Sequence, residues 1–278
     1  MPTGHSLHIG INRVDPAHYQ GWSGPLNACE ADANDMEALA RSKGFNAQKL
    51  LTTHATRSSV SSAIAAAAGM LKSGDIFMLS YSGHGGQLPD RNGDEADQQD
   101  ETWCLYDGQL VDDEIYASLG RFASGVRILV FSDSCHSGTV VKMAYYSSYS
   151  LHRFHPEPDN NTVYRMMPSE VALKTYAANK ALYDPLLDDT TLAAARSNVS
   201  ASVLLISGCQ DNQLSLDGTF NGLFTGTLLR TWAGGAFKGN YSELHAAIVR
   251  KMPPDQTPNL FLVGAKNDTY ERQAAFAI

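Results

Sequence analysis

Along the chain, short apolar runs alternate with longer amphipathic ones. Leu7–Ile11, Ile76–Tyr81, Val126–Ser132, Val203–Ser207 and Leu260–Val263 are four to seven residues long and rich in Leu and β-branched residues. Such runs predict strands covered on both faces, and Ala47–Leu51 is a weaker sixth. Helical patterns lie between them. These are Ala31–Ser42, stopped by Gly44; the Ala-rich Ser58–Leu71; Asp113–Leu119, with acids in its first turn; Leu223–Trp232; and Glu243–Met252, ended by Pro253 and Pro254. Strands alternating with helices imply an α/β fold whose mostly parallel sheet is sandwiched between helices.

One interval breaks the rhythm. From about Met143 to Ala201 no convincing buried strand is evident, and the composition turns to Tyr, Ser, Asn, Pro and His. Only Ser169–Leu182 reads as helical there, with Ser169 as its cap and Pro185 as its stop. So long a gap between strands is expected of an insertion that is functional or mobile. The 278 residues then form a single domain in three parts: about 1–142, an insertion of about 143–201, and a closing half of about 202–278.

The net charge of −8 argues against nucleic acid or an anionic membrane as the main partner and favours a cationic substrate. The longest weakly apolar run, the Ala-rich Ala63 to Leu71, is too short to span a bilayer, and no basic stretch precedes an apolar one near Met1. Cysteines at 29, 104, 135 and 209 form neither a zinc pattern nor a disulfide framework. That usage predicts a reducing cytoplasm.

In a parallel sheet, ligands bind beyond the carboxyl ends of the strands. Two strands end there in polar clusters, Ser82-Gly-His84-Gly85-Gly-Gln87 and Asp133-Ser-Cys135-His136-Ser-Gly138. If the strands are neighbours, His84 faces Cys135. An adjacent imidazole raises the thiolate fraction of a cysteine and can then protonate a leaving amine. The N–H groups of Gly85 and Cys135 could hold the developing oxyanion. His136 is the weaker base, because adjacent side chains on extended backbone point to opposite faces. No G-x-S-x-G elbow occurs, which disfavours a serine hydrolase.

Tyr81-Ser-Gly-His-Gly-Gly-Gln and Asp133-Ser-Cys-His-Ser-Gly resemble the histidine and cysteine boxes of caspases and metacaspases. Their separation, 135 − 84 = 51 residues, matches the caspase spacing. The caspase box Q-A-C-[RQG]-G is absent, which favours metacaspases and their bacterial relatives. Gly10-Ile-Asn, Leu26-Asn-Ala-Cys29-Glu-Ala-Asp32-Ala, Gly93-Asp-Glu, Asp100-Glu-Thr, Asp112-Asp113-Glu-Ile and Ser207-Gly-Cys-Gln-Asp-Asn-Gln213-Leu-Ser-Leu-Asp217 extend the resemblance over about 1–140 and 203–264.

The resemblance implies a monomeric, caspase-like three-layer α/β/α endopeptidase that cuts protein or peptide substrates after Arg or Lys. It also implies a pocket of Asp32 and Asp133 walled by Ser82 and Cys29. Two carboxylates in one cleft suit a guanidinium, and Asp133 lies two residues before Cys135, on the same face of an extended strand. The competing expectations are an inactive or latent caspase-fold scaffold, and a thiol peptidase with Asp or Asn preference.

Residues 90–101 carry six acids and one arginine, and oxygen-rich loops suit Ca²⁺. By resemblance, Asp100, Asp112 and Asp113 match three calcium ligands, but Lys142 stands at the fourth position. A cation there predicts weak calcium binding or none, and no required cofactor. The resemblance also implies self-cleavage between the halves, for which Lys142, Arg153, Lys174 and Lys180 supply basic residues in or beside the insertion.

Overall fold

The apolar runs assemble into one six-stranded sheet. The computed structural model describes residues 1–93, 98–134, 163–209, 213 and 215–278. Strands β1 (Gly4–Gly10), β2 (Asn46–Leu51), β3 (Ile76–Ser82), β7 (Arg127–Asp133), β8 (Ser202–Ser207) and β9 (Asn259–Gly264) lie in the order β2-β1-β3-β7-β8-β9. All neighbours pair in parallel except β8 and β9. The expected α/β sandwich with a mostly parallel sheet is therefore present. Residues pointing alternately to the two faces build two separate cores. Leu79, Val130 and Val203 pack with α2 (Arg57–Met70) and α3 (Asp112–Leu119) on one face. Met78, Phe131 and Ile206 pack with α1 (Cys29–Ser42), α7 (Leu223–Trp232) and α8 (Tyr241–Val249) on the other.

Three features differ from the expectations. A second antiparallel sheet, β4 (Gly85–Pro89), β5 (Gln99–Leu105) and β6 (Gly108–Val111), leaves the end of β3. Its Gly, Gln and acidic content hid the alternation, and Asp100 and Glu101 of the acidic run belong to β5. The single helix expected at Ser169–Leu182 is two, α4 (Ser169–Ala178) and α5 (Lys180–Leu187). They break at Asn179, whose side-chain amide donates to the carbonyls of Thr175 and His18. Pro185 sits inside α5 instead of stopping it, forgoing one helical hydrogen bond. No helix among the described residues, including the short α6 (Thr190–Ala193) and α9 (Asp268–Arg272), is long and apolar enough to cross a membrane.

The end of β1 is packed against the start of α1 with no room for a side chain. A Cβ on Gly10 would stand 2.3 Å from the Cys29 carbonyl oxygen. Gly10→Ala is therefore expected to destabilise the fold by about 1–3 kcal/mol, the cost typical of overpacking. Urea unfolding measures it, and an unchanged midpoint would refute the close approach.

Candidate active site

The pairing of β3 with β7 sets Ser82 directly opposite Asp133. Past that pair β3 turns through Gly83 into His84. Tyr81 fixes the turn: its ring stacks on Trp103 with centroids 4.4 Å apart, and its hydroxyl donates to the His84 and Cys104 carbonyls. The Cys104 N–H also donates to the His84 carbonyl. The imidazole is buried against Trp22, and Nε2 donates to the Gly24 carbonyl at 2.9 Å. Gly24 has φ +49°, and a Cβ there would press on both the Trp22 and His84 rings. Because a carbonyl only accepts, Nε2 carries the proton and the neutral ring presents its lone pair at Nδ1. That atom is buried and has no hydrogen-bond partner among the described residues. Burial lowers the pKa of His84 to about 4, against the opposing pull of the Gly24 carbonyl. Such an imidazole is uncharged at neutral pH.

Asp32 from α1 and Asp133 from β7 are both about 1 % exposed and meet on one face of the sheet. Asp32 accepts from the Ser82 hydroxyl, the Asn221 amide and the Gly222 N–H. Asp133 accepts from the Ser215 hydroxyl and from both the N–H and hydroxyl of Thr225. A third carboxylate, Asp217, joins them, held by the N–H groups of Asn27 and Ala28. Cys29 is buried nearby, and burial pushes its thiol up to about 12. Cys104 is pushed higher still, so neither thiol ionises at neutral pH.

A guanidinium fills this pocket. Arg165 has no exposed surface and pairs with Asp32 at 2.7 Å and with Asp133 and Asp217 at 3.0 Å. Its Nη1 also donates to the Ser82 hydroxyl. Gly222 makes the space: a Cβ there would lie 2.6 Å from Cζ and both Nη atoms. Burial works against the charge of Arg165, but Asp133, Asp32 and Asp217 outweigh it and hold the group protonated. Burial likewise pushes Asp32 up to about 6, a rise that Arg165 restrains and the charge of Asp133 adds to.

The backbone around Arg165 is held as firmly as the side chain. Its N–H donates to the Ser215 carbonyl and its own carbonyl accepts from the Gly85 N–H, both at 3.0 Å. Gly85, expected as an oxyanion donor, thus already holds a peptide carbonyl. Cys135 follows Ser134 directly but lies outside the described residues, as do His136, Lys142 and Arg153. Asp100 is buried on β5, while Asp112 and Asp113 open α3. Among the described residues no three His, Cys, Asp or Glu side chains are placed to share a metal ion. No step below runs through a metal.

A family model described as "Caspase domain" matches residues 5–272. The chain belongs to the caspase-domain family. It is 30 % identical to Metacaspase-1 of Kluyveromyces lactis over 256 residues, 82 % of this chain and 57 % of that protein. It is 29 % identical to Metacaspase-1 of Mycosarcoma maydis over 247 residues, 80 % of this chain and 59 % of that one. The chain thus spans under two thirds of the length of these curated relatives. Among solved structures, protein GSU0716 from Geobacter sulfurreducens is 56 % identical with a TM-score of 0.87, covering 99 % of both chains. Caspase-1 from Spodoptera frugiperda, 12 % identical with a TM-score of 0.54 over 94 % of this chain and 86 % of that one, shares the fold alone.

Within this caspase-domain chain the structure brings His84, Gly85, Ser82, Asp32, Asp133 and Cys29 to one end of the sheet. Sequence reasoning missed Arg165, Asp217, Gly222 and the Trp22–Gly24 support of His84. Asp217 closes the motif that begins at Ser207, so its place in the resemblance was a usable signal. Arg165 had a weaker one, as a basic residue among Tyr164, Met166 and Met167 at the end of a polar stretch.

The buried, singly supported imidazole leads to a spectroscopic expectation. Followed by nitrogen NMR, His84 should remain neutral from pH 8 down to about 5 and protonate near 4. A midpoint at the ordinary histidine value would mean that the ring is solvated.

Proposed function

We propose that this chain is a cysteine endopeptidase that hydrolyses peptide bonds after Arg or Lys, with Cys135 as nucleophile and His84 as acid/base. The observation that carries the reading is Arg165. An arginine side chain lies among three buried carboxylates while its carbonyl accepts from the Gly85 N–H. A substrate residue held in that way has its recognition group and its reacting carbonyl fixed together, which converts binding into orientation. Cys135 would attack that carbonyl as His84 takes the thiol proton, with the Gly85 N–H stabilising the oxyanion. The imidazolium would then protonate the departing amine, and water would hydrolyse the thioester. Peptides bearing Asp before the cut would meet like charge, which disfavours the caspase preference.

Gly222→Ala tests the pocket without altering any charge. Its backbone, at φ −58°, accepts alanine, but the methyl would occupy the guanidinium's place. Cleavage of Arg peptides is expected to fall roughly ten- to hundred-fold in kcat/KM, and crowding of the buried Arg165 to cost about 1–3 kcal/mol of stability. An unchanged kcat/KM would move the specificity pocket elsewhere.

The pH profile gives a second check. Asp32, raised to about 6, is charged above that pH and neutral below it. The kcat/KM for basic peptides should therefore fall as pH drops through about 6, before His84 protonates. Asp32→Asn should remove that limb together with most of the activity. A wild-type profile flat to pH 5 would exclude Asp32 as a charged pocket group.

A further inference from the structure

A buried glutamine lies behind the pocket. Gln256, in the loop between α8 and β9, is 1 % exposed, and its side chain reaches into the loop that leaves β8. Its Oε1 accepts from the Leu216 N–H at 3.1 Å, and its Nε2 donates to the Gly208 carbonyl at 3.2 Å and to the Ser215 hydroxyl at 2.9 Å. A carbonyl can only accept and a backbone N–H can only donate, so these two backbone partners fix which end of the amide faces which way. Nε2 then has only protons to offer Ser215. The hydroxyl oxygen accepts one, and its own proton goes to Asp133 Oδ1 at 2.6 Å. The amide thereby sets the direction of a hydrogen bond onto a pocket acid that it does not touch.

Asp133 is the acid for which that direction matters. Its Oδ1 is held by Ser215, and its Oδ2, which accepts from the Thr225 N–H and hydroxyl, is the oxygen turned to the guanidinium. Oδ2 lies 3.0 Å from Nη1 of Arg165, whereas Asp32 and Asp217 make their closest approaches to Nη2. The two arms of the guanidinium are thus met by different acids. A lysine ammonium carries all its protons on one atom and cannot span them. The terminal torsion of an aspartate is broad, so without the Ser215 donor the Asp133 carboxylate turns readily away from the Nη1 arm.

Resting on the basic-residue endopeptidase reading above, we propose that Gln256 is a positioning residue that makes the pocket prefer Arg to Lys. It acts through Ser215, which holds Asp133 against one arm of the substrate guanidinium. The geometry accounts for a neutral amide at this place. A carboxylate there would draw the Ser215 proton to itself and away from Asp133, and an alkyl chain would offer Ser215 no proton at all. The two loops are joined a second time by Gln213, which accepts from the Thr257 N–H and donates to the Pro254 carbonyl at 3.1 Å. Their association therefore does not rest on Gln256 alone.

The test compares two fluorogenic peptides that differ only in ending in Arg or Lys, read on the full chain as the ratio of their kcat/KM values. Any effect of Arg165 on access is common to both peptides and cancels from the ratio. Wild-type protein is expected to favour Arg. Ser215→Ala removes the relay but leaves Gln256 its two backbone partners, and should lower the ratio about five-fold or more, with Arg peptides losing most. Gln256→Met keeps the length of the side chain and should lower the ratio by a similar factor. The double variant should fall no further than Ser215→Ala, since one residue acts through the other. Thermal melting read in parallel reports general loosening, which would slow both peptides alike and leave the ratio where it was. Should Gln256→Met not fold, Ser215→Ala alone still decides, because the whole effect must pass through its hydroxyl. An unchanged ratio in either folded single variant, a further fall in the double variant, or a wild type indifferent to Arg and Lys would overturn the proposal and leave the endopeptidase reading standing. A folded wild type that cuts neither peptide would overturn both.

Discussion

A guanidinium with no solvent contact must be neutralised where it lies, and the arrangement around Arg165 does this with groups from distant parts of the chain. Asp32 comes from α1, Asp133 from the end of β7 and Asp217 from the loop before α7. The acids have requirements of their own. Each would be costly to bury alone, and each is held by backbone N–H, hydroxyl or amide donors besides the arginine. The pocket is therefore a point where the first strands, the closing half and the intervening segment constrain one another.

The same economy of placement governs His84. Tyr81 and Trp103 stack beneath the turn, an N–H of β5 donates to the His84 carbonyl, and the Gly24 carbonyl accepts from Nε2–H. What remains is one buried lone pair at Nδ1. The small β4–β6 sheet thus serves the chemistry by fixing the turn that carries the imidazole and the Gly85 N–H.

The pocket is filled by the chain's own Arg165, whose charge Asp32, Asp133 and Asp217 share. Strands β7 and β8, which flank Arg165 in sequence, pair in parallel in the sheet.

Much of this was written locally. The buried strands announced themselves as short β-branched runs, and the helices as periodic ones, because burial on both faces or along one stripe leaves a mark on neighbouring residues. His84 and Cys135 stood out because each follows such a strand among glycines and small polar residues, and Asp32 and Asp133 through family resemblance. The β4–β6 sheet, the break at Asn179 and the use of Arg165 left little or no such mark. They depend on partners far along the chain, from the His18 carbonyl for Asn179 to Ser215 and Gly85 for Arg165. Sequence by itself determined the sandwich, the residue types at the strand ends and the need for a countercharge to the pocket acids. Only the tertiary structure decided which cation answers that need, because the match is made by distance and burial between segments 133 residues apart.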